Sequence, residues 1–271
     1  LRRMVQRAPT PGWAFERLKL VYNAGEHWNE LFALYDAALA ATTDAGLRLQ
    51  LLDDAAGTAK DLAGDPERLI GYLEEVLPLR RDARTRDALE RLYERRGRKA
   101  RLIELLLASI GDLDARAAET QRMRIAQLQL DVGDANAAYE TIATVLAAEP
   151  ERADAYELLE RILRTVPTGE AARAGHPFDG MLAPAPLAED LLSARRRAAA
   201  LLEKRYRAED RSQDLLRVLS IELSAAGTPS AKIPRLREMV RLRLSALDDE
   251  AGALDDVAAL LLLEPGENEH K

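Results

Sequence analysis

The chain has 271 residues, of which 47% are hydrophobic and 31% charged, and a formal net charge of −7. This composition supports a buried core and excludes a disordered or fibrous chain; its acidic balance disfavours nonspecific nucleic-acid binding, which depends on Lys and Arg neutralising phosphates. The absence of cysteine removes disulfides, thiolate metal sites and cysteine nucleophiles, and no apolar run, including the one ending at Leu263, approaches the roughly 20 residues that span a bilayer.

The chain opens on LRRMVQRAP, where Leu1, Met4, Val5 and Pro9 have the spacing of the latter half of a helix closed by proline. In FERLKLVYNAGEHWNELFALYDAAL (15–39), Phe15, Leu18 and Tyr22 form one amphipathic stripe. A turn at Gly25 follows, and Trp28, Leu31, Tyr35, Ala38 and Leu39 form a second stripe. Trp28 reads as packing against that turn; Trp13, ahead of the first stripe, is a candidate exposed anchor. The next turn, Gly64-Asp65, leads into Leu69, Leu73, Val76 and Leu77. LERLYERRGRKARLIELL (89–106) repeats the arrangement around Gly97. The clearest copy is LDVGDANAAYETIATVLAAEP (130–150), in which Gly133-Asp134 precedes Ala138, Ile142, Val145, Leu146 and a closing Pro150.

ADAYELLERIL (153–163) begins another copy, and then the pattern breaks. Residues 164–187 carry four prolines and three glycines, with at most a helical turn at Glu170 to Ala174 where a second helix is due. This segment reads as a tolerated insertion in a degenerate hairpin, with a recognition loop or a hinge as the alternatives. Its candidate contacts are His176, Phe178 and Asp179. A long helix then leads to LEKRYRAEDRSQDLLRVL (202–219), which matches 89–106 at a shift of 113. LDDEAGALDDVAALLLLEP (247–265) matches 130–150 at a shift of 115, setting Asp248-Asp249, Ala253, Val257, Leu260, Leu261 and Pro265 against Gly133-Asp134, Ala138, Ile142, Val145, Leu146 and Pro150.

Turns thus fall near 26, 64, 97, 133, 210 and 248, at spacings of 38, 33, 36, 77 and 38. The 77 is two periods, so a seventh turn is expected near 168–172. The organisation is an all-α stack of about seven helical hairpins. Residues 1–163 and 188–271 are the regular parts of one continuous domain and 164–187 the interruption. Leu1 and the uncovered apolar residues before Pro265 lead us to expect further repeats of the same chain beyond both ends.

The period, Ala138, Ile142, Val145 and Pro150 in a second helix, and Phe15, Leu18 and Tyr22 in a first helix resemble the tetratricopeptide repeat, with a HAT-like relative as the alternative. Lys19, Glu90 and Glu160 depart from the small residue the family has after the first-helix leucine. The resemblance spans essentially the whole chain and implies a right-handed α-solenoid whose first helices line a concave, peptide-binding groove. By register it directs Glu16, Asp54, Asp61, Asp87, Arg91 and Glu94 into the early, mostly acidic part of that groove. Arg161, Arg197, Lys204, Arg207 and Arg235 fall in the later, basic part. The alternative for the basic group is that Arg195 to Arg197 solvate a helix.

His27, His176 and His270 are far apart, and the His176–Asp179 pair is too little for a metal site or a catalytic dyad. No phosphate-binding glycine loop, Gly-x-Ser-x-Gly or HExxH occurs. Neither a cofactor nor an enzymatic activity is expected. The leading reading is an interaction scaffold for a protein or peptide, and the alternative a regulatory region of a larger enzyme. Ala-, Leu- and Arg-rich usage points to a bacterium of high genomic GC, and the lack of a visible export feature favours the cytoplasm.

Overall fold

The computed structural model describes residues 12–165 and 186–263, and among these it contains thirteen helices and no strand. In chain order they are α1 (Trp13–Ala24), α2 (Trp28–Ala41), α3 (Ala45–Gly57), α4 (Pro66–Arg80), α5 (Ala83–Arg96), α6 (Lys99–Ser109) and α7 (Ala115–Val132). They continue with α8 (Ala135–Ala148), α9 (Ala153–Arg164), α10 (Pro186–Ala208), α11 (Ser212–Ala225), α12 (Pro229–Leu242) and α13 (Glu250–Leu263). Two compact units divide the chain within α6, between Leu105 and Leu106, and not at the proline-rich segment.

All six turns expected at or near Glu26, Gly64, Gly97, Gly133, Asp210 and Asp248 are present, and each holds one residue in the left-handed region at the position named, with φ of 54°, 61°, 66°, 88°, 53° and 54°. That conformation lets the next amide turn back on the helix just ended. His27, Arg98, Asp134 and Arg211 donate their N–H to the carbonyls of Tyr22, Tyr93, Gln129 and Tyr206, five residues earlier in every case. Asp65 and Asp249 reach back six residues instead, to Ala59 and Arg243. The reason is one wider turn: α3 and α12 each end in a π-helical segment, Thr58–Leu62 and Arg243–Leu247. These are the two turns that follow their predecessors by 38 residues.

The second residue of each Gly-Asp or Asp-Asp pair then caps the helix that follows. Asp65 accepts from Glu67 and Arg68 N–H at 3.1 and 3.0 Å, Asp134 from Ala137 at 3.0 Å, and Asp249 from Gly252 at 3.0 Å. Trp28, Lys99 and Ser212, in register by sequence, are each the first residue of a second helix, and their amides bond the carbonyls of Glu26, Gly97 and Asp210 at 2.9, 2.9 and 3.0 Å. Each turn is a repeated local solution, which is why the period is legible.

In the first unit, α1 packs on α2, α2 on α3, α3 on α4 and α4 on α5. Phe15, Leu18, Tyr22, Leu31, Phe32, Tyr35, Leu52 and Ala55 meet in one core, with Trp28 partly buried against it. Ala38, Ala55 and Ala59 are fully buried, where a larger side chain would hold the helix backbones apart.

In the second unit, α7 and α8 form a hairpin, and α9 packs on both of them. Ala138, Ile142 and Val145 of α8 are wholly buried beside Ala155, Leu159 and Ile162 of α9. Helix α10 packs on both α8 and α9. Asn136 of α8 bonds Asp190, in the first half of α10, at 3.0 Å. The second half pairs with α11, which packs on α12, which pairs with α13. The expected turn at 168–172, the helical turn at 170–174 and His176, Phe178 and Asp179 lie outside the described residues, as do Leu1 to Pro9 and the segment after Leu263.

Candidate functional site

The side chains assigned by register to a groove fall into two classes. Most are tied into the scaffold. Glu16 and Asp54 both pair with Lys19, at 3.1 and 2.7 Å, and Asp54 also accepts the Tyr35 hydroxyl at 2.9 Å, so one carboxylate links α1, α2 and α3. Burial works against the Lys19 ammonium, but the bonds to Asp54 and Glu16 outweigh it and raise its pKa. Asp61 lies 3.7 Å from Lys60 in the π-helical segment. Arg161 bonds Asp131 of α7 at 2.7 Å, Arg207 bonds Glu203 and, across to α12, Glu238 at 2.6 Å, and Arg235 bonds Glu222 of α11 at 2.9 Å.

Arg197 and Arg235 are the more enclosed of the basic group, and Arg197 has the most partners. Its guanidinium donates to Asn136 Oδ1 at 2.6 Å, pairs with Glu140 and lies 4.4 Å from the centre of the Tyr139 ring, all on α8. It clamps α10 to α8. The basic end of the expected gradient is therefore largely matched by carboxylates inside the second unit. Lys204, exposed on α10, makes no ion pair or hydrogen bond among the described residues.

Four tyrosine hydroxyls repeat this theme. Tyr35 donates to Asp54, Tyr72 to Asp36 at 2.8 Å, Tyr93 to Glu74 at 2.7 Å and Tyr206 to Glu160 at 3.0 Å. Burial first, and then the neighbouring carboxylate, raises the pKa of each phenol well above its ordinary value; at Tyr35 the bond to Thr58 works the other way.

The solvent side of the first unit is different. Helix α1 turns Trp13, Leu20 and Val21 outward at 71%, 58% and 52% exposure. Trp13 and Leu20, seven residues apart, share one stripe, and Arg17 lies between them on the same side. On α5, Asp87 and Arg91 are exposed with no ion pair or hydrogen bond among the described residues, while Glu94 is exposed and engaged. Register alone singled out Arg91; it passed over Arg84 and Arg95, which the structure exposes on the same side of α5. Their spacing of seven and four residues was the available signal.

No three His, Asp or Glu side chains among the described residues come together as metal ligands, and none of the described helices is long and apolar enough to cross a membrane. A hollow of 480 Å³ at the start of α7 is lined by Leu113, Asp114, Arg116, Ala117, Thr120, Gln121 and Arg124. Asp114 there is engaged as the cap of α7, and the Thr120 hydroxyl donates to the Arg116 carbonyl.

The fold defines an all-α protein of tandem helical hairpins, tetratricopeptide-like in its paired helices and repeated turns. No protein-family model matches the chain, and no curated protein matches it. Among solved structures it is similar to the TPR domain of P58(IPK), at 17% identity over 94% of this chain and 74% of that one, with a TM-score of 0.32. It is also similar to Naa15/Naa10 bound to HypK-THB, at 14% identity over 91% of this chain and a TM-score of 0.30. There the chain spans 47% of the matched length. Likenesses this distant add nothing to what the helices themselves show.

Proposed function

We propose that the chain is a noncatalytic interaction scaffold that binds a protein partner along the solvent faces of its first helices. The observation that carries this reading is the outward stripe of α1. Trp13, Leu20 and Val21 are each more than half exposed on one helix whose other side, at Phe15, Leu18 and Tyr22, is buried. An apolar patch of this kind beside Glu16 and Arg17 is the make-up of an interaction surface: an aromatic anchor with a polar rim.

Helix α13 adds a second such face. Leu254, Leu261 and Leu262 are 70%, 68% and 84% exposed, and Val257 is 36% exposed where its counterpart Ile142 is wholly buried. In α8 that flank is covered by α9 and α10. A helix with the alanine–leucine–isoleucine pattern of α9 suits the open flank of α13, whether from a further hairpin or from a partner.

The test is affinity capture with the intact chain and with Leu20→Glu, which introduces a charge without disturbing the core. A partner captured specifically by the parent chain and lost from the variant supports the reading, provided both chains melt alike. Recovery of the same proteins by both would overturn it.

A further inference from the structure

We propose that the exposed arginine row of α5 is the docking site for an extended acidic peptide segment of the protein partner, an inference that rests on the interaction-scaffold reading and names the chemistry of what is bound.

Arg84, Arg91 and Arg95 are spaced seven and four residues apart, which at about 100° per residue keeps all three within roughly 40° of one another. Thr85, Leu89 and Tyr93 hold the buried side of the same helix, so the arginines point away from the core. All three are exposed and make no ion pair or hydrogen bond among the described residues. Arg81, just ahead of α5 in a left-handed backbone (φ 48°), is also exposed and without an ion pair among the described residues.

Apart from Arg81 and Arg17 of α1, this row departs from how the unit treats its other described arginines. Arg80 is held by Asp53 and Asp82, Arg96 and Arg98 converge on Glu67, and Arg101 pairs with Glu104. Carboxylates are in excess in a chain of net charge −7, yet none among the described residues satisfies this row. Three cations gathered on one edge repel one another, and a partner that supplies negative charge relieves that repulsion.

The neighbouring charges decide which anion fits. Glu90 and Glu94 form a second row on α5, turned roughly 100° from the first, and Asp87 lies between the two rows, about 60° from the arginines' centre. A broad polyphosphate surface laid over α5 would meet both rows, whereas a single extended strand can follow the arginines alone. Along the helix axis Arg84 to Arg91 spans about 10.5 Å and Arg91 to Arg95 about 6 Å. An extended strand rises about 3.3 Å per residue and turns alternate side chains to one face, so carboxylates at its first, fifth and seventh positions, about 13 and 20 Å along, reach the three long arginines together. Guanidinium forks suit such carboxylates through two parallel hydrogen bonds each.

The experiment uses the whole chain and a fluorescently labelled seven-residue peptide with Glu at positions one, five and seven. Controls are its Gln counterpart, a Lys counterpart and a single-stranded oligonucleotide of equal charge. The Glu peptide should bind more tightly than the Gln peptide and weaken as salt is raised. The triple variant Arg84→Glu, Arg91→Glu, Arg95→Glu should lose roughly tenfold or more in affinity, since each exposed pair contributes a few-fold and reversal adds repulsion. It should bind the Lys peptide instead. A triple Arg→Gln variant, which removes charge without reversing it, should fall between. Equal binding of the Glu and Gln peptides, or tighter binding of the oligonucleotide, would overturn the proposal. Repeating partner capture with both variant sets separates the two readings. If Leu20→Glu abolishes capture and the arginine variants do not, acidic docking fails and the scaffold stands; if Leu20→Glu leaves capture unaltered, the scaffold reading fails.

Discussion

Tyr206 in α10 donates its hydroxyl to Glu160 in α9 at 3.0 Å, joining two helices separated in the chain by the proline-rich segment. Arg211 pairs with the same carboxylate at 3.0 Å and lies 4.5 Å from the centre of the Tyr206 ring, and Arg164 bonds Glu160 at 2.8 Å. Removing only the hydroxyl, with Tyr206→Phe, leaves Glu160 partnered by two arginines. The expected cost is about 1 kcal/mol, the net value of one hydrogen bond to a charged acceptor that keeps other partners. A double-mutant cycle with Glu160→Gln checks it through denaturant midpoints: a coupling near zero means the bond does not link the helices.

The four tyrosine–carboxylate bonds also set an alkaline limit. Each phenol has its folded pKa raised, so each keeps its proton in the folded chain at a pH where the unfolded chain has begun to lose it. The unfolded state then binds fewer protons, and stability falls as pH rises. This contribution is fully present below about pH 10, the ordinary tyrosine value, and is lost above it at up to about 1.4 kcal/mol per pH unit for each tyrosine. In a chain whose other three tyrosines are replaced by phenylalanine, phenolate absorbance and helical circular dichroism should change together; phenolate appearing near pH 10 with the helices intact would show the four hydroxyls to be unconstrained.

Arg197→Ala should destabilise the second unit by about 1–2 kcal/mol, because the side chain joins α10 to α8 through Glu140, Asn136 and the Tyr139 ring at once. Arg197→Lys should fail to restore most of it, since an ammonium cannot reach two acceptors as a fork and stack on the ring. Chemical denaturation of the three chains measures this. Full rescue by lysine would reduce Arg197 to a point charge.

The turns test a separate, backbone effect. Gly133 has φ 88° and an added Cβ would meet nothing within 4 Å, so Gly133→Ala carries a conformational cost alone, about 1 kcal/mol. Glu26 occupies the equivalent position with a side chain at φ 54°. Glu26→Gly should raise stability by up to about 1 kcal/mol, reduced by the freedom glycine gains in the unfolded chain. Opposite signs in thermal melts of the two variants are the expected result; a loss in both would mean that Glu26 contributes through its side chain.

What could be read in the sequence was what is local. A left-handed residue followed by a capping aspartate is a two-residue solution, so Gly64-Asp65, Gly133-Asp134 and Asp248-Asp249 announced their turns, and Trp28, Lys99 and Ser212 fell into register. The arginines were harder. Periodicity put Arg161, Arg197 and Arg207 on the first helices, but whether a guanidinium is free depends on which carboxylate packing brings across to it. Their partners Asp131, Glu140 and Glu238 lie 30, 57 and 31 residues away. The long α10 hid a further fact: its first half lies along α8, a consequence of packing that spacing does not encode.

Gly252, near the start of α13, brings local preference and tertiary packing into conflict. In an isolated helix Gly→Ala gains about 1 kcal/mol through helix propensity. Here a Cβ at residue 252 would overlap Arg243 Nη1 and Asp249 Oδ2, two groups already in contact. Arg243 is not a loose side chain that can swing aside, for its Nε also donates at 2.8 Å to Asp256, a buried carboxylate on the inner side of α13. Displacing the guanidinium leaves Asp256 short of its partner, at a cost of about 1–3 kcal/mol. Gly252→Ala should therefore lower stability by about 1 kcal/mol in spite of the better helix former. In an Arg243→Ala background, where only the Asp249 carboxylate still lies in the way, the same change should cost less. Thermal melts of the two single variants and the double variant give the sign, and a Gly252→Ala chain more stable than the parent would show that the Arg243 bridge yields without cost.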